Sequence, residues 1–252
     1  MANQNDLIRR LADDLLASES CVALTGAGIS VESGIPPFRG KGGLWERFDP
    51  MEVAHIDSFL RDPARVWDLL LREMHSLLST ARPNAAHLGL ARLEKAGILS
   101  TVITQNVDGL HQAAGSTDVI EFHGNFAWQR CMECEKTYST PEVDLSTIPP
   151  LCACGGILRP ECVFFGEAIP EHELARSFQL AARCGLMLVV GTSAVVQPSA
   201  SLPQVARQHG ALVVEINREP THLTGSVAHY SLLGRAGDLV GAVASLVEQG
   251  RG

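Results

Sequence analysis

The first residues able to do chemistry lie in the segment Cys21 to Trp45, CVALTGAGISVESGIPPFRGKGGLW. A short apolar run leads into Gly26-Ala27-Gly28, and two glycines one residue apart let backbone N–H groups approach a phosphate. The third glycine of a standard G-x-G-x-x-G motif is absent because Val31 stands there, and no acidic ribose-binding residue can be placed on a second strand. The segment is therefore half of a dinucleotide-binding pattern.

Glycines and prolines fill the next segment, in which Gly34-Ile35-Pro36-Pro37-Phe38-Arg39-Gly40 is followed by Gly42-Gly43. So many helix breakers exclude a helix, while Phe38 and Arg39 are too specific for a plain linker. We interpret this segment as a mobile flap over a bound ligand.

Four of the seven cysteines form two close pairs: Cys131 with Cys134, and Cys152 with Cys154. The spacing predicts a zinc ribbon with four thiolate ligands, in which Gly155 could supply the turn of the tighter second pair. Four thiolates leave zinc no open position for water, so its role would be structural. Cys21, Cys162 and Cys184 lie in apolar stretches and are expected to be buried hydrophobic residues.

Composition limits the class of protein. A chain of 252 residues that is 46% hydrophobic can bury the core of one large domain. A net charge of -8 without a Lys/Arg block argues against a direct nucleic-acid partner. The N-terminus has helical leucine spacing but no signal-peptide region, and no apolar run reaches the about 18 residues of a membrane span. We therefore expect a cytoplasmic protein that binds no membrane.

Apolar runs and helical periodicity alternate on both sides of the cysteine pairs. Strands are predicted over 21–24, 99–104, 186–190 and 211–216, and helices near the N-terminus, over 50–80, 84–97, 171–184, up to 210 and over 238–248; a short piece over 119–122 leads to His123 and Gly124. Continuous apolar strands alternating with helices indicate a parallel sheet covered on both faces. The predicted fold is α/β, a Rossmann-like doubly wound parallel sheet with a small inserted zinc-ribbon module and a helical and flap insertion.

The same pattern divides the chain into three parts. The Rossmann-like domain is predicted from 1–35, 84–124 and 161–252, the flap and helical insertion from 36–83, and the zinc module from 125–160, where no helix or strand rhythm is recognisable.

Small or amide-bearing residues follow four of the predicted strands. They are Thr25-Gly26, Gln105-Asn106-Val107-Asp108, Gly191-Thr192-Ser193 and Asn217. In open parallel sheets, ligands bind beyond the carboxyl ends of the strands, where such residues can contact ribose and phosphate. Ordinary turn chemistry also selects Gly, Asn and Ser, but four such strand exits in one sheet favour a nucleotide site.

Motifs along nearly the whole chain resemble the sirtuins, the NAD-dependent protein deacylases, of the bacterial and archaeal single-domain type. They are GAGIS at 26–30, SGIPPFRG at 33–40, TQNVD at 104–108, HG at 123–124, the two cysteine pairs, VFFGE at 163–167, GTS at 191–193 and IN at 216–217. The resemblance implies NAD as co-substrate, structural zinc on the four paired cysteines, and acetylated-lysine proteins or peptides as partners.

The resemblance also implies a role for each matching residue. NAD would be held by Gly26, Ala27, Gly28, Ile29, Ile35, Phe38, Arg39, Trp45, Gln105, Asn106, Val107, Asp108, Gly191, Thr192, Ser193, Asn217, Arg218, Glu219 and Ala236. The segment that pairs strand-on-strand with the substrate peptide would include Val163, Phe165, Gly166 and Glu167. The catalytic residues would be His123, Asn106 and Asp108.

His123 is the residue best suited to move a proton near neutral pH, because an unperturbed histidine has a pKa near 6.5. A histidine between a phenylalanine and a glycine is more often a packed or surface residue, so the catalytic role rests on the resemblance. In the sirtuin scheme the acetyl-lysine oxygen attacks the ribose carbon that bears nicotinamide, and His123 withdraws a proton from a ribose hydroxyl. The Asp108 anion would favour the cationic character that develops as nicotinamide leaves. The implied products are deacylated lysine, nicotinamide and 2′-O-acetyl-ADP-ribose.

Two departures from the family pattern affect specificity. Pro37 stands where the family often has Asp or Thr, so a polar contact could be lost. Members that prefer acidic acyl groups carry Tyr-x-x-Arg in the helix after the flap, whereas the window 67–73, WDLLLRE, offers Leu70 and Glu73. A carboxylate cannot favour an anionic acyl group, so we expect acetyl or another short neutral acyl group, with Arg72 leaving the question open.

Three classes of function fit these residues. The first is an NAD-dependent protein-lysine deacetylase, which releases nicotinamide only when acyl-lysine is present. The second is a protein mono-ADP-ribosyltransferase using the same NAD site, which leaves label from NAD on protein. The third is a non-enzymatic NAD sensor, which would not need His123. An ordinary dehydrogenase is disfavoured because the glycine motif is interrupted and the flap follows it directly.

Overall fold

A computed structural model describes residues 3–40 and 42–250 of the chain. In these residues nine strands form two sheets: β1 Cys21–Thr25, β2 Leu99–Thr104, β3 Val119–Glu121, β4 Gly124–Cys131, β5 Thr137–Ser139, β6 Leu158–Cys162, β7 Leu186–Val190, β8 Leu212–Asn217 and β9 Tyr230–Leu233. The larger sheet has the order β3-β2-β1-β7-β8-β9, and all of its strand pairs are parallel.

Helices cover both faces of the larger sheet or form the insertion between β1 and β2. They are α1 Gln4–Ala17, α2 Pro50–Val53, α3 Ile56–Arg61, α4 Pro63–Val66, α5 Arg72–Thr80, α6 Ala85–Lys95, α7 Leu110–Ala113, α8 Glu171–Arg183, α9 Leu202–Gln208 and α10 Ala236–Gln249. Short 3₁₀ segments lie at Ala27–Ser33, Leu44–Glu46, Thr140–Glu142 and Ser199–Ser201, and a π-helical segment, Trp67–Leu71, joins α4 to α5.

Two apolar clusters enclose the larger sheet. One face packs against α1, α6 and α10, with Leu11, Leu90 and Val243 among its buried residues. The other face packs against α8 and α9, where Ala181 and Leu202 are buried. β1 and β7 are buried at every position, as expected of central strands covered on both faces. The predicted α/β fold class is confirmed.

The strand order places a topological switch between β1 and β7. β2 lies on one side of β1 and β7 lies on the other side. The chain that leaves β1 and the chain that leaves β7 therefore turn in opposite directions beyond the carboxyl ends of these strands. Thr25 at the end of β1 lies opposite Thr104 of β2 and Val190 of β7. The strand ends are therefore level, and they border a crevice of the kind in which open α/β sheets bind ligands.

Several strands were not predicted from the sequence, among them the eight-residue β4. β9 follows β8 in the larger sheet, where no strand was predicted. The segment 125–160, in which no rhythm was recognised, carries most of β4 and all of β5, and with β6 these strands form an antiparallel sheet of order β5-β4-β6. β5 has three residues and β9 has four, too few to establish an alternating pattern.

The continuous helical pattern predicted over 50–80 is wrong in its first half. The chain breaks at His55, where the Ile56 N–H donates to the Phe165 carbonyl (2.9 Å), and again at Asp62 before Pro63. A proline is tolerated in the first turn of a helix but not within it, so α4 starts anew. The division of the chain into three parts stays a prediction. Within residues 3–40 and 42–250, no helix combines the length and apolar character that crossing a membrane requires.

Candidate active site

A cavity of about 1030 Å³ lies beyond the carboxyl ends of β1, β2, β7 and β8. Its size is that of a ligand pocket. Many residues predicted to bind NAD, peptide or protons line it: Gly26, Ala27, Gly28, Phe38, Arg39, Trp45, Gln105, Asn106, Val107, His123, Val163, Phe165, Gly166, Glu167, Gly191, Thr192, Ser193, Asn217, Arg218, Glu219 and Ala236. The topology thus brings together strand exits that are far apart in the sequence.

The glycine loop after β1 touches the backbone of the loop after β7. The Gly28 N–H donates to the Gly191 carbonyl (2.7 Å), and the Gly26 N–H donates to the Val190 carbonyl (3.1 Å). A Cβ on Gly28 would lie 2.6 Å from the Gly191 carbonyl oxygen and 2.8 Å from its Cα. Only glycine permits this approach, and Gly191 itself has a positive φ of 62°.

We expect Gly28→Ala to lower the free energy of unfolding by about 1–3 kcal/mol, because the added methyl group overpacks two backbone segments. The same change should also remove most of the stabilisation that NAD confers in urea unfolding. The matched control is Gly241→Ala in α10, where the nearest atom to a new Cβ is 3.8 Å away. That control should be neutral or stabilising by about 0.5–1 kcal/mol. Equal unfolding curves for the two variants would contradict the argument.

Side-chain amides join the strand exits to each other. Gln105 Nε2 donates to Thr192 Oγ1 (2.9 Å), and Gln105 Oε1 accepts from Ser199 Oγ (3.1 Å). Asn217 Nδ2 donates to the Thr192 carbonyl (3.0 Å), which ties the end of β8 to the loop after β7. The floor of the cavity is therefore a continuous network, and much of the Gln105 side chain is engaged within the protein.

Asp108 is held from several directions below the cavity. Its Oδ2 accepts from Ser30 Oγ (2.6 Å) and Asn106 Nδ2 (3.2 Å), and its Oδ1 accepts from the Leu110 N–H (3.0 Å). Asn106 Nδ2 also lies 3.0 Å from Ser30 Oγ. These contacts fix the position of the Asp108 carboxylate beside the cavity. The three groups that donate to it are a hydroxyl, a side-chain amide and a backbone N–H, none of which is a cation.

His123 follows β3 on the cavity wall. Its Nδ1 lies 3.0 Å from the Gln105 carbonyl, which can only accept, so Nδ1 carries the hydrogen and Nε2 is the unprotonated nitrogen. Burial lowers the pKa of His123 from its ordinary value, and the bond to Gln105 opposes this shift only in part. His123 is thus neutral at pH 7 and able to accept a proton at Nε2.

The flap, which begins at Gly34, lines the cavity with a pair of stacked aromatic residues. The rings of Phe38 and Trp45 stack with centroids 5.1 Å apart. The backbone N–H of Trp45 donates to the backbone carbonyl of Phe38 (2.9 Å). Pro37 accepts from the Leu44 N–H through its carbonyl (2.9 Å). Arg39 projects from the flap at the cavity wall and is exposed. The mobility of the flap stays a prediction.

One wall of the cavity is apolar. It includes Leu70 and Leu71 from the π-helical segment, Met74 from α5 and Phe126 from β4, all of them buried. Trp67 anchors the π-helical segment by donating from Nε1 to the Leu158 carbonyl (2.9 Å).

The three charged residues of the window 67–73, Asp68, Arg72 and Glu73, do not line the cavity. Arg47 binds Glu73 with two hydrogen bonds (2.6 and 2.9 Å), and Arg72 pairs with Asp68 (3.3 Å). Leu70 lies in the cavity wall as expected, but Glu73 does not, because its carboxylate faces Arg47. The cavity wall at this point is therefore apolar and carries no carboxylate from the window.

The segment Val163–Glu167 is mostly a turn rather than a strand. The Glu167 N–H donates to the Phe164 carbonyl (3.1 Å), and the Phe165 N–H and carbonyl bond to Ala54 and Ile56 (2.8 and 2.9 Å). The Glu167 carboxylate is bound by both terminal nitrogens of Arg159 (2.6 and 2.7 Å). Only part of this backbone is therefore free to pair with a peptide, and the Glu167 side chain braces the turn.

The two cysteine pairs meet at the end of β4, whose last residue is Cys131. The Sγ atoms of Cys131, Cys134, Cys152 and Cys154 all lie within 4.8 Å of one another. Three of the contacts are 3.4–3.6 Å long, close to the about 3.8 Å separation of thiolates around tetrahedral zinc. Tyr138 Oη lies 3.0 Å from Cys152 Sγ and can donate to a thiolate there. The donor set and its geometry fit a structural zinc ion.

A few predicted site residues are not in the cavity wall. Ile29 and Ile35 are buried in the protein, Ile35 against Ala81 and Leu110, and Asp108 lies behind Asn106. Their proposed contacts with NAD stay predictions.

Other residues of the cavity were missed by the sequence analysis. Cys162, expected to be a buried hydrophobic residue, is half-buried: it packs against the apolar cluster around Phe59 and also lines the cavity. Glu32 and Arg235, which pair at 3.3 Å, line the cavity from distant segments and belong to no recognisable motif. For Met74 the helical spacing with Leu70 was a signal, but it could not distinguish a core face from a cavity wall.

Comparisons with known proteins agree with this geometry. The Sir2 family matches residues 26–198. The chain is 47% identical over 231 residues to NAD-dependent protein deacylase 2 of Pyrobaculum aerophilum, covering 91% of this chain and 92% of that protein. It is 49% identical over 218 residues to the NAD-dependent protein deacetylase of Caldivirga maquilingensis, covering 84% and 83%.

Solved structures give the same result. The crystal structure of a Sir2 homolog–NAD complex superposes with a TM-score of 0.88 at 43% identity, covering 97% of this chain and 95% of that one. A parallel sheet with its switch-point cavity, a four-cysteine module, and a match over most of the sequence all lead to one assignment: the chain belongs to the Sir2 family.

Proposed function

We propose that this protein is an NAD-dependent protein-lysine deacetylase that removes acetyl or other short neutral acyl groups. The observation that carries the proposal is His123, a neutral imidazole on the wall of one cavity that has a polar nucleotide-type floor and an apolar wall. A base between two such surfaces suits a reaction that joins a nucleotide to an acyl group. The relatives named as NAD-dependent protein deacylases and deacetylases support the same activity.

The polar end of the cavity suits NAD. Arg39 and Arg218 supply positive charge to a diphosphate, and the glycine loop presents backbone without side chains. Asn217 and Ser193 supply groups for ribose hydroxyls. NAD would contribute a ribose carbon from which nicotinamide departs. The part of this chain in the chemistry is then to orient that ribose, to hold the Asp108 charge nearby, and to accept a hydroxyl proton at His123 Nε2.

The apolar wall formed by Leu70, Leu71, Met74 and Phe126 suits the acyl group. A carboxylate buried against these side chains would lose its hydration without a partner, because Arg72 is paired with Asp68 away from the wall. The acyl group is therefore neutral. We propose that the acyl-lysine peptide lies in extended form along Val163, Gly166 and the neighbouring loop, using backbone hydrogen bonds.

The partners are acetylated-lysine proteins or peptides. We further propose that the protein works in the cytoplasm and has no direct nucleic-acid partner. Four thiolate ligands favour a reducing compartment, and a net charge of -8 disfavours nucleic-acid binding.

Nicotinamide release from NAD tests the proposal. The substrates are one peptide sequence carrying acetyl-, propionyl-, succinyl- or long-chain acyl-lysine, with unmodified lysine as the control. We expect release with acetyl- and propionyl-lysine, none with unmodified lysine, and kcat/KM for succinyl-lysine lower by about 10²-fold or more because its carboxylate would be unpaired. Mass spectrometry should find equal amounts of deacylated peptide and 2′-O-acetyl-ADP-ribose.

The other outcomes identify the competing functions. Nicotinamide release without acyl-lysine, together with label from NAD on protein, would identify a mono-ADP-ribosyltransferase. NAD binding without any turnover would identify a sensor. Faster turnover of succinyl-lysine than of acetyl-lysine would refute the assignment of the apolar wall while leaving the deacylase activity intact.

A further inference from the structure

A buried histidine outside the cavity closes the loop that carries Asn106 and Asp108. Thr25 Oγ1 lies 2.9 Å from His111 Nε2 and 2.9 Å from Thr104 Oγ1. We name these three residues the threonine–histidine bridge. Thr104 precedes the loop 105–109 and His111 lies in the first turn of α7 just after it, so the bridge joins the two ends of the loop through a residue of β1.

The bridge reaches the loop backbone directly. The Asn106 N–H donates to Thr104 Oγ1 (3.1 Å), and at the other end the Leu110 N–H donates to Asp108 Oδ1 (3.0 Å). Gly109, between them, has a φ of 68°, which turns the chain sharply into α7 and brings His111 back under the sheet. Asn106 and Asp108 are therefore enclosed in a short ring of hydrogen bonds and covalent chain.

The bridge is dry. Thr25 is 0% exposed, His111 1% and Thr104 3%, so its hydrogen bonds do not compete with water. The ring of His87 packs edge-on against His111 with centroids 4.9 Å apart. Burial and this second histidine lower the pKa of His111 to about 3, so its imidazole is neutral at working pH. Because Thr25 Oγ1 donates its one hydrogen to Thr104 Oγ1, the neutral imidazole carries its hydrogen on Nε2 and donates it to Thr25 Oγ1.

Packing alone does not account for a histidine here. Within the described residues, His111 Nδ1 is buried without a hydrogen-bond partner. An apolar side chain of similar size would avoid the cost of that unpaired nitrogen. What the imidazole offers instead is the Nε2 contact with Thr25.

We propose that His111 is a positioning residue, which acts through Thr25 and Thr104 to hold the Asn106–Asp108 loop in the geometry that NAD requires. The proposal rests on the proposed function, because it deepens the account of the same NAD site. His111 does not line the cavity and need not touch a ligand. Its loss should therefore weaken NAD binding and turnover and leave acyl-peptide binding nearly unchanged.

The test compares His111→Leu, which removes the polar contact, with His111→Gln, whose side-chain amide can still donate to Thr25. We expect His111→Leu to raise both the KM for NAD and the Kd for NAD in titration calorimetry by about tenfold, with the peptide KM changed less than twofold. His111→Gln should recover most of that loss. Urea unfolding of each variant reports whether the protein is folded.

Thr25→Val and Thr25→Ser give a second, independent comparison, which remains decisive if His111→Leu fails to fold. Thr25→Val should weaken NAD binding as His111→Leu does, and Thr25→Ser should not. The double variant His111→Leu/Thr25→Val should be no worse than either single variant, because the three side chains act as one unit.

Two results would overturn the positioning role: equal losses for His111→Leu and His111→Gln, or equal changes in the KM values for NAD and peptide. Wild-type protein without NAD-dependent deacylation would instead refute the proposed function. An active wild type whose His111 and Thr25 variants bind NAD normally would refute the positioning role alone.

Discussion

Replacing His123 by alanine is expected to lower kcat for NAD-dependent deacetylation by about 10²–10⁴-fold, the usual contribution of a positioned general base. The imidazole is a neutral group on the cavity wall, and its Nδ1–H bond to the Gln105 carbonyl fixes which nitrogen accepts the proton. Alanine cannot accept a proton. NAD and acetyl-peptide should still bind, since neither end of the cavity depends on the imidazole.

A matched control separates this effect from general damage. His172→Ala removes a histidine whose side chain is 80% exposed on α8, and it should leave kcat unchanged. Calorimetry should give Kd values for NAD within a few-fold of wild type for both variants. Full turnover by His123→Ala would exclude the imidazole as the base. A loss of NAD binding equal to the loss of kcat would make His123 a binding residue instead.

The pH profile provides a second measurement on the same residue. Burial lowers the pKa of His123 below the ordinary value of about 6.5. The imidazole is therefore neutral over a wider pH range than that of a free histidine. We expect kcat/KM to hold steady as pH falls through 6.5 and to decline only below it. The residual activity of His123→Ala should lack this decline. A decline centred above pH 6.5 would contradict the assignment.

Acid unfolding must be measured alongside that profile. The folded-state pKa values of His111, at about 3, and His123 are both lowered, so below about pH 6.5 the unfolded chain binds more protons than the folded one. The free energy of unfolding therefore falls as pH falls through this range. Circular dichroism at each pH distinguishes protonation of the base from loss of the fold.

Features with a strong local or spacing signal could be predicted from the sequence. The apolar runs that form β1, β2, β7 and β8 have no competing periodicity, and parallel strands bring their exits to one edge of the sheet. The cysteine pairs likewise constrain each other, because two close pairs can share one tetrahedral ion. These two signals were enough for the fold class, the cavity floor and the zinc module.

Features decided by contacts between distant segments could not be predicted. The break at His55 depends on a bridge to Phe165, which no pattern within 50–80 reveals. Glu73 looks like a cavity residue in the sequence, and only the position of Arg47 turns it away. The Glu167 carboxylate is bound by Arg159 for the same reason. In each case a partner far along the chain overrides the local pattern, and the partner is visible only once the fold is known.

Removing zinc is expected to lower deacetylation by at least tenfold, although the metal takes no part in the chemistry. The zinc module has a very small core of its own, in which Cys131, Cys152 and Leu158 are the buried residues. So few buried side chains cannot hold the chain in place, and metal binding supplies the missing free energy of folding. The module leads directly to the cavity, because β6 runs from Leu158 to Cys162 and its Arg159 braces the turn at Glu167.

Loss of the metal should therefore loosen the acyl and peptide side of the cavity while the strand exits still bind NAD. We expect chelation to lower kcat/KM for acetyl-peptide by at least tenfold, to change the Kd for NAD by no more than about threefold, and to be reversed by added zinc. Cys131→Ser should behave like the chelated protein, whereas Cys184→Ala, a change in a buried cysteine outside the module, should keep both zinc and activity. Activity that survives removal of zinc, verified by metal analysis, would show that the small core suffices. Equal losses of NAD and peptide binding would show that the module supports the whole cavity rather than one wall.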